Sequence, residues 1–437
     1  MAGSNPRLIP REIYLNRLKK FQDREPVKVV TGMRRCGKSS LLTLMREHLT
    51  ASGVASEQIL SLNFESMQYS TMDVATFYNF VKDRVLPGRR MYLFFDELQR
   101  LDAWEDAINS FRVDFDCDIY ITGSNSSLLS SEYSTYLAGR YVEIRVLPLS
   151  FREFLLFHGF ESRESRIGNG KKYAVSPGGE ILTLEDVFGL YLRYGGMPGL
   201  IDSGLEQEIV LPLLDGVYNT VVVRDILERK RSPRDGQIGD HVLLQKIILF
   251  LAHNIGNNTS LRTISNTLAT EKLMEERGRQ GKPATHTVAT YVKALLQAYI
   301  FHEIKRFDLK GKELLSTLGK YYIADIGLRN LLLGFRDTDT GHVIENIVYL
   351  ELLRRGYDVT VGKINNKEID FIATRDAEKI YYQVTLDMDA QETKERELAP
   401  LKSVKDNYEK IVLALHTTFT APVEGIKIVP LLEFLLQ

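Results

Sequence analysis

Residues 27–40 read Val27-Lys28-Val29-Val30-Thr31-Gly32-Met33-Arg34-Arg35-Cys36-Gly37-Lys38-Ser39-Ser40, an apolar run passing directly into G-x-x-x-x-G-K-S. This is the pattern of a phosphate-binding (Walker A) loop. Glycines let the backbone curl so that its N–H groups point at phosphate oxygens, the lysine reaches the β/γ oxygens, and the following hydroxyl ligates Mg²⁺. Leu41, Leu42, Met45 and Leu49 then recur at helical spacing, so a helix N-terminus with its partial positive charge faces the phosphates. The expected nucleotide-binding segment is Gly32, Arg34, Arg35, Cys36, Gly37, Lys38, Ser39 and Ser40.

Working outward, four more strands are expected at Ile59 to Phe64, Met91 to Asp96, Asp118 to Thr122 and Tyr141 to Val146, separated by helical stretches such as Asp102 to Phe115. Alternating strands and helices imply a parallel, doubly wound sheet. The run Met91-Tyr92-Leu93-Phe94-Phe95-Asp96-Glu97 has the Walker B form. In it Asp96 holds Mg²⁺ together with Ser39, and Glu97 polarises the attacking water. The next strand ends in Thr122-Gly123-Ser124-Asn125, which places γ-phosphate-sensing candidates at the carboxyl edge of the sheet; Asn125 joins Lys38 and Glu97 in the catalytic set. Arg140, on a turn before the last strand, is either an arginine finger or an ordinary surface arginine.

The 437 residues carry 56 Lys and Arg against 57 Asp and Glu, and 44% are hydrophobic, which bounds the chain to a globular protein of several domains. No apolar run approaches the roughly 20 residues of a bilayer span. Neither an export signal nor a disulfide framework is legible, since only Cys36 and Cys117 are present, so a cytoplasmic location with no membrane partner is expected. Charge is uneven: residues 224–320 hold 17 Lys and Arg against 10 Asp and Glu. Any nucleic-acid contact is expected there.

The chain resembles bacterial and archaeal AAA+-type ATPases, close to signalling ATPases with a G-x-P element, that carry a C-terminal domain of unknown function. The resemblance rests on Gly32 to Ser39, Phe95-Asp96-Glu97, Gly123-Ser124-Asn125-Ser126, Gly139-Arg140, Pro148-Leu149-Ser150-Phe151 and Tyr194-Gly195-Gly196-Met197-Pro198. It implies ATP as the nucleotide, a Gly196-Met197-Pro198 turn near the adenine, and an Arg140 that completes a neighbour's site in a ring-like homo-oligomer. From the residues alone, Gly-Gly-x-Pro indicates only a tight turn.

Farther along, helices are expected at Val242 to Leu251, from Leu261, and at Thr287 to Tyr299, followed by strands Ile300 to Phe307 and Gly319 to Ala324. Three helices and a hairpin make a winged helix, with Lys293 on its recognition helix and Lys305, Arg306, Lys310, Lys312 and Lys320 on or near the wing. Those cations would neutralise DNA phosphates. The alternative is a winged helix used purely for packing or oligomerisation. The C-terminal order, a helix with Glu345 followed by strands around Asp370 and Gln383, resembles restriction-endonuclease-like folds. Such enzymes hold Mg²⁺ with a helix glutamate, a strand aspartate and an E-x-K. Gln383 and Thr385 stand where that last acid and lysine belong, so the expected site (Glu345, Asp370, Gln383) is degenerate.

The expected architecture is α/β: a P-loop NTPase parallel-sheet core (residues 1–154), a helical lid (155–235), a winged helix (236–332) and an endonuclease-like α/β domain (335–437). The expected activity is that of an oligomeric, Mg²⁺-dependent ATPase coupled to DNA. Its rivals are an ATP-driven switch acting on a protein partner and an ATP-gated nuclease.

Overall fold

β-branched and aromatic runs without internal glycine or proline form the strands of the first unit. A computed structural model describes residues 8–124, 139–164, 172–227, 238–270, 283–311, 313–336 and 339–437. The chain divides into two compact units, one of residues 1–147 with 297–299, the other of 148–296 with 300–437.

In the first unit the order is α1 (Glu12–Lys20), β1 (Val27–Thr31), α2 (Lys38–Ala51), β2 (Ile59–Asn63), α3 (Val74–Lys82), β3 (Met91–Asp96), α4 (Trp104–Asp114), β4 (Cys117–Gly123) and β5 (Tyr141–Arg145). The five strands are parallel in the order β2-β3-β4-β1-β5. Because side chains alternate across a strand, Val29, Phe95 and Ile121 enter one apolar layer with Phe77 and Phe111, while Val30, Phe94 and Tyr120 enter the other with Met45 and Leu49. Burial on both faces explains why the three inner strands β1, β3 and β4 read as mostly apolar runs. All carboxyl ends lie on one edge, where the loop after β1 and the acids ending β3 converge.

The second unit opens with α5 (Phe151–Phe157), whose start is fixed by a capping box between Ser150 and Glu153. Three short antiparallel strands follow, β6 (Glu161–Glu164), β7 (Lys172–Val175) and β8 (Ile181–Thr183). Residues 165–171 lie outside the described residues, and Pro177-Gly178-Gly179 falls in the turn between β7 and β8. Helices α6 (Leu184–Tyr194), α7 (Gln207–Thr220), α8 (His241–His253), α9 (Leu261–Thr270, after the short β9, Asn258–Thr259) and α10 (Thr285–Gln297) come next.

The hairpin of β10 (Phe301–Asp308) and β11 (Glu313–Ile323) is not a free-standing wing. Arg306, Phe307 and Asp308 of β10 pair with Val361, Gly362 and Lys363 of β12 (Asp358–Ile364), so the hairpin is built into one eight-stranded sheet. The rest of that sheet is β13 (Lys367–Arg375), β14 (Glu378–Asp387), β15 (Glu409–His416) and β16 (Lys427–Pro430), in the order β16-β15-β14-β13-β12-β10-β11-β9. Helices α11 (Ile326–Leu333), α12 (Thr340–Arg354), α13 (Gln391–Lys402) and α14 (Leu431–Leu436) accompany these strands. One sheet thus runs through the segments read from sequence as a winged helix and a separate C-terminal domain. Among the described residues, no helix is long and apolar enough to cross a membrane.

Candidate functional site

The loop after β1 has the backbone an anion site requires. Arg35 (φ 62°) and Gly37 (φ 99°) are left-handed, and Gly37 caps α2, so successive N–H groups are turned toward the helix start. Gly32 is dictated by crowding: a Cβ there would lie 2.2 Å from the Val146 carbonyl oxygen. Lys38 is buried and folds back on its own loop, its Nζ donating to the Gly32 and Met33 carbonyls, each at 3.1 Å, with Glu97 Oε1 at 3.8 Å. Ser39 and Ser40 are exposed on the first turn of α2. Arg34 pairs with Glu65, while Arg35 is exposed.

The two acids ending β3 are held differently. Asp96 accepts from the Thr122 hydroxyl and, at 3.3 Å, from Asn63 Nδ2. Burial pushes its carboxyl up, against hydrogen bonds from Thr122 and Ser39. Glu97, in the left-handed region at φ 53°, anchors its N–H on Thr122 Oγ1 at 2.9 Å and accepts from Ser124 Oγ at 3.1 Å and Gln99 Nε2 at 2.5 Å. Lys38, Ser39, Asp96 and Glu97 therefore share one sheet edge, presenting a cation, a hydroxyl and two carboxylates around a helix N-terminus. This donor set fits a nucleotide triphosphate with its Mg²⁺.

Several neighbours were not legible as site residues. Asn63 and Gln99 orient the two acids, and Thr122 and Ser124, read as phosphate sensors, are bonded to those acids here. Arg11 is buried with Nη1 2.9 Å from the Cys36 carbonyl oxygen, holding the loop from behind. Tyr299 belongs to the first unit although it lies far along the chain; its hydroxyl donates to Glu143 Oε1 at 3.4 Å, and the same oxygen accepts from Thr31 Oγ1 at 2.6 Å. No sequence spacing announces such distant partners. Cys36 is fully buried, and burial pushes its thiol up, so it is not a reactive thiolate.

Arg140 is not brought to this edge. Its carbonyl accepts from the N–H of Val27 at 2.9 Å, at the opposite, amino ends of β1 and β5, and the residue is exposed there. Asn125 and Lys312 lie outside the described residues, as do Arg229, Lys230 and Arg231. Pro198 belongs to the second unit, opening the turn Pro198–Leu200. The preceding glycines are required: Gly196 N–H donates to Asp325 Oδ2 at 2.7 Å, and a Cβ on Gly195 would lie 2.4 Å from Asp325 Oδ1. Of the basic residues expected to face DNA, Lys293, Lys305 and Lys310 are exposed, whereas Arg306 faces Glu368 at 3.7 Å.

The second unit gathers the expected C-terminal residues together with Lys320, which is expected on the wing facing DNA but is buried against carboxylates. Glu345 on α12 and Asp370 on β13 are buried, and between α12 and β13 stands Lys320 of β11, its Nζ 2.7 Å from Glu345 Oε1 and 2.8 Å from Glu368 Oε1. Burial would raise Glu345, but Lys320 and hydrogen bonds from His342, Lys320 and Tyr322 hold it below its usual range. Burial, then the Glu345 charge, pushes Asp370 well up. Gln383 turns its amide to Glu397 Oε2 at 3.0 Å.

Residues 24–155 match the AAA domain family, and residues 185–339 match a domain of unknown function, DUF8612. The unknown-function match thus falls on the middle of the chain, not on residues 335–437. An uncharacterized protein of Haemophilus influenzae is 37% identical over 434 residues, covering 98% of this chain and 99% of that protein. One from Methanocaldococcus jannaschii is 29% identical over 389 residues, 87% of this chain and 79% of that protein. Among solved structures, a Walker-type ATPase of Pyrococcus abyssi aligns over 74% of this chain and 95% of its own, at 16% identity and a TM-score of 0.47.

Proposed function

This chain belongs to the same family as the Haemophilus influenzae protein and carries an AAA domain, and we propose that it binds and hydrolyses ATP and couples that cycle to handling of DNA. The observation that carries the ATPase reading is the convergence of Lys38, Ser39, Asp96 and Glu97 on the carboxyl edge of the parallel sheet. Lys38 exchanges its loop carbonyls for the β/γ-phosphate oxygens. Ser39 and Asp96 are the residues that would hold Mg²⁺, which when bound supplies charge neutralisation at the phosphates. Glu97 orients the attacking water and accepts its proton, released for that task from Ser124 and Gln99. Asn125 contributes to γ-phosphate sensing.

Arg140, exposed on the opposite edge from its own phosphate loop, acts on the site of a neighbouring copy. That arrangement requires a homo-oligomer. The DNA reading is supported by the positive excess in residues 224–320, with Lys293, Lys305 and Lys310 exposed and Lys312 beside them in sequence. The incorporation of the hairpin into the sheet, with Arg306 and Lys320 facing carboxylates, favours the second reading, a switch acting on a protein partner.

The discriminating experiment is ATP hydrolysis with and without single-stranded, duplex and branched DNA, at low and moderate salt. Stimulation by one DNA form, weakening steeply with salt, is expected. An unchanged rate with no binding at low salt would leave the protein-partner switch.

A further inference from the structure

The nuclease-like carboxylate cluster of the second unit does not fit the metal its resemblance implies. Lys320 is nearly inaccessible to solvent and donates to Glu345 Oε1 at 2.7 Å and Glu368 Oε1 at 2.8 Å. A divalent ion would need those oxygens at about 2.0–2.6 Å, where the ammonium already stands and would repel it. Three of the other four carboxylate oxygens are also engaged. Glu345 Oε1 accepts from the Tyr322 hydroxyl as well, Glu345 Oε2 faces His342 Nδ1 at 3.5 Å, Glu368 Oε2 accepts from Asn258 Nδ2 at 2.8 Å, and Asp370 Oδ2 accepts from the Val384 N–H at 2.8 Å. Glu397, the acid beside Gln383, is engaged too, accepting from Gln383 Nε2 and Arg396 Nε.

Lys320 is not a wandering surface side chain. Backbone pairing fixes it on both sides, with Ile304 of β10 and Asn258 of β9, and β10 in turn pairs with β12. Two carboxylates, themselves held by a buried tyrosine and an asparagine, therefore converge on a cation delivered by the sheet. Among the described residues, no three histidine, cysteine or carboxylate side chains are placed to hold a metal ion.

We infer that Lys320 is a built-in counter-ion occupying the place of a divalent metal in the Glu345/Glu368/Asp370 cluster, so that this cluster clamps the β10–β11 hairpin to α12 and β13 instead of hydrolysing phosphodiester bonds. The inference is independent of the ATPase reading.

The test uses the full chain carrying Lys38→Ala together with Asp96→Asn and Glu97→Gln, which remove the cation and both carboxylates of the phosphate-loop site, with no nucleotide and Mn²⁺ as the probe. Thermal unfolding of this protein should be unchanged by about 1 mM Mn²⁺, roughly 100 times the Kd of a site that binds the ion at about 10 μM. Adding Lys320→Met should lower the melting temperature and create an Mn²⁺-dependent rise of about 3 °C or more, which a further Glu345→Gln abolishes. Should the Lys320→Met protein fail to fold, the parent triple variant itself decides: it should neither nick supercoiled DNA in Mn²⁺ nor bind Mn²⁺ in a manner sensitive to Asp370→Asn. Nicking or stabilisation by Mn²⁺ that Asp370→Asn removes would overturn the inference, as would a folded Lys320→Met protein that gains no Mn²⁺ response.

Discussion

Replacing Gly32 by alanine tests how tightly the phosphate loop is built into the sheet. The added Cβ would lie 2.2 Å from the Val146 carbonyl oxygen and 3.0 Å from Cys36 Sγ, at a backbone φ of +142°. The first contact cannot be relieved by a rotamer, because its partner is backbone and Val146 N–H is itself bonded to the Thr31 carbonyl at 2.8 Å. Restoring ordinary contact needs a shift of about 1 Å, which in a packed interior costs about 1–3 kcal/mol. The unfavourable φ adds about 1–3 kcal/mol. Gly53→Ala is the control, since Gly53 is also left-handed (φ +93°) but has no atom within 4 Å of its Cβ. Urea denaturation should therefore show Gly32→Ala less stable than Gly53→Ala by the crowding part alone, about 1–3 kcal/mol. ATP affinity should fall about tenfold or more in the first variant only, since a 1.4 kcal/mol loss at the loop amides is already a factor of ten. Equal stability of the two variants, with wild-type ATP binding by Gly32→Ala, would refute the reasoning.

Two other substitutions probe buried charge. Lys28 and Asp118 are both fully buried and bonded to each other across β1 and β4, so Lys28→Met should destabilise by about 3–5 kcal/mol and Lys28→Met/Asp118→Leu should recover part of that loss, read by denaturation. Asp325 is fully buried, and desolvation pushes its carboxyl from 3.8 up to about 6 despite hydrogen bonds from Gly196, Leu328 and Gly327. The folded state then binds a proton that the unfolded state has already released, so this group's contribution falls as pH rises from about 4 to about 6, by about 3 kcal/mol in all. Asp325→Asn should flatten that part of the stability profile; an unchanged slope would contradict the assignment.

The convergence of Lys38, Ser39, Asp96 and Glu97 on one sheet edge was legible because its parts are local: the loop, its preceding strand and its following helix are contiguous in sequence, and Asp96-Glu97 ends an apolar strand. What surrounds it was less so. Asn63, Gln99 and Tyr299 reach the site through sheet order and chain return, neither of which has a sequence period. The hairpin at residues 301–323 was read correctly as two strands, but its pairing with β12 is set by residues some 50 positions on, about four times a typical long loop. That same non-local pairing buries Lys320, which by composition reads as one more surface cation. Gln383 and Thr385 did announce a departure from metal chemistry; the lysine that takes the metal's place could be found only in three dimensions.

The most direct measurement is ATP binding and turnover of the wild-type chain beside Glu97→Gln and Lys38→Ala. Glu97→Gln should bind ATP as wild type does but turn it over about 100-fold more slowly or worse, while Lys38→Ala should lose binding. Normal turnover by Glu97→Gln, or a wild-type chain that binds no ATP, would contradict the assignment of this sheet edge as an ATPase site.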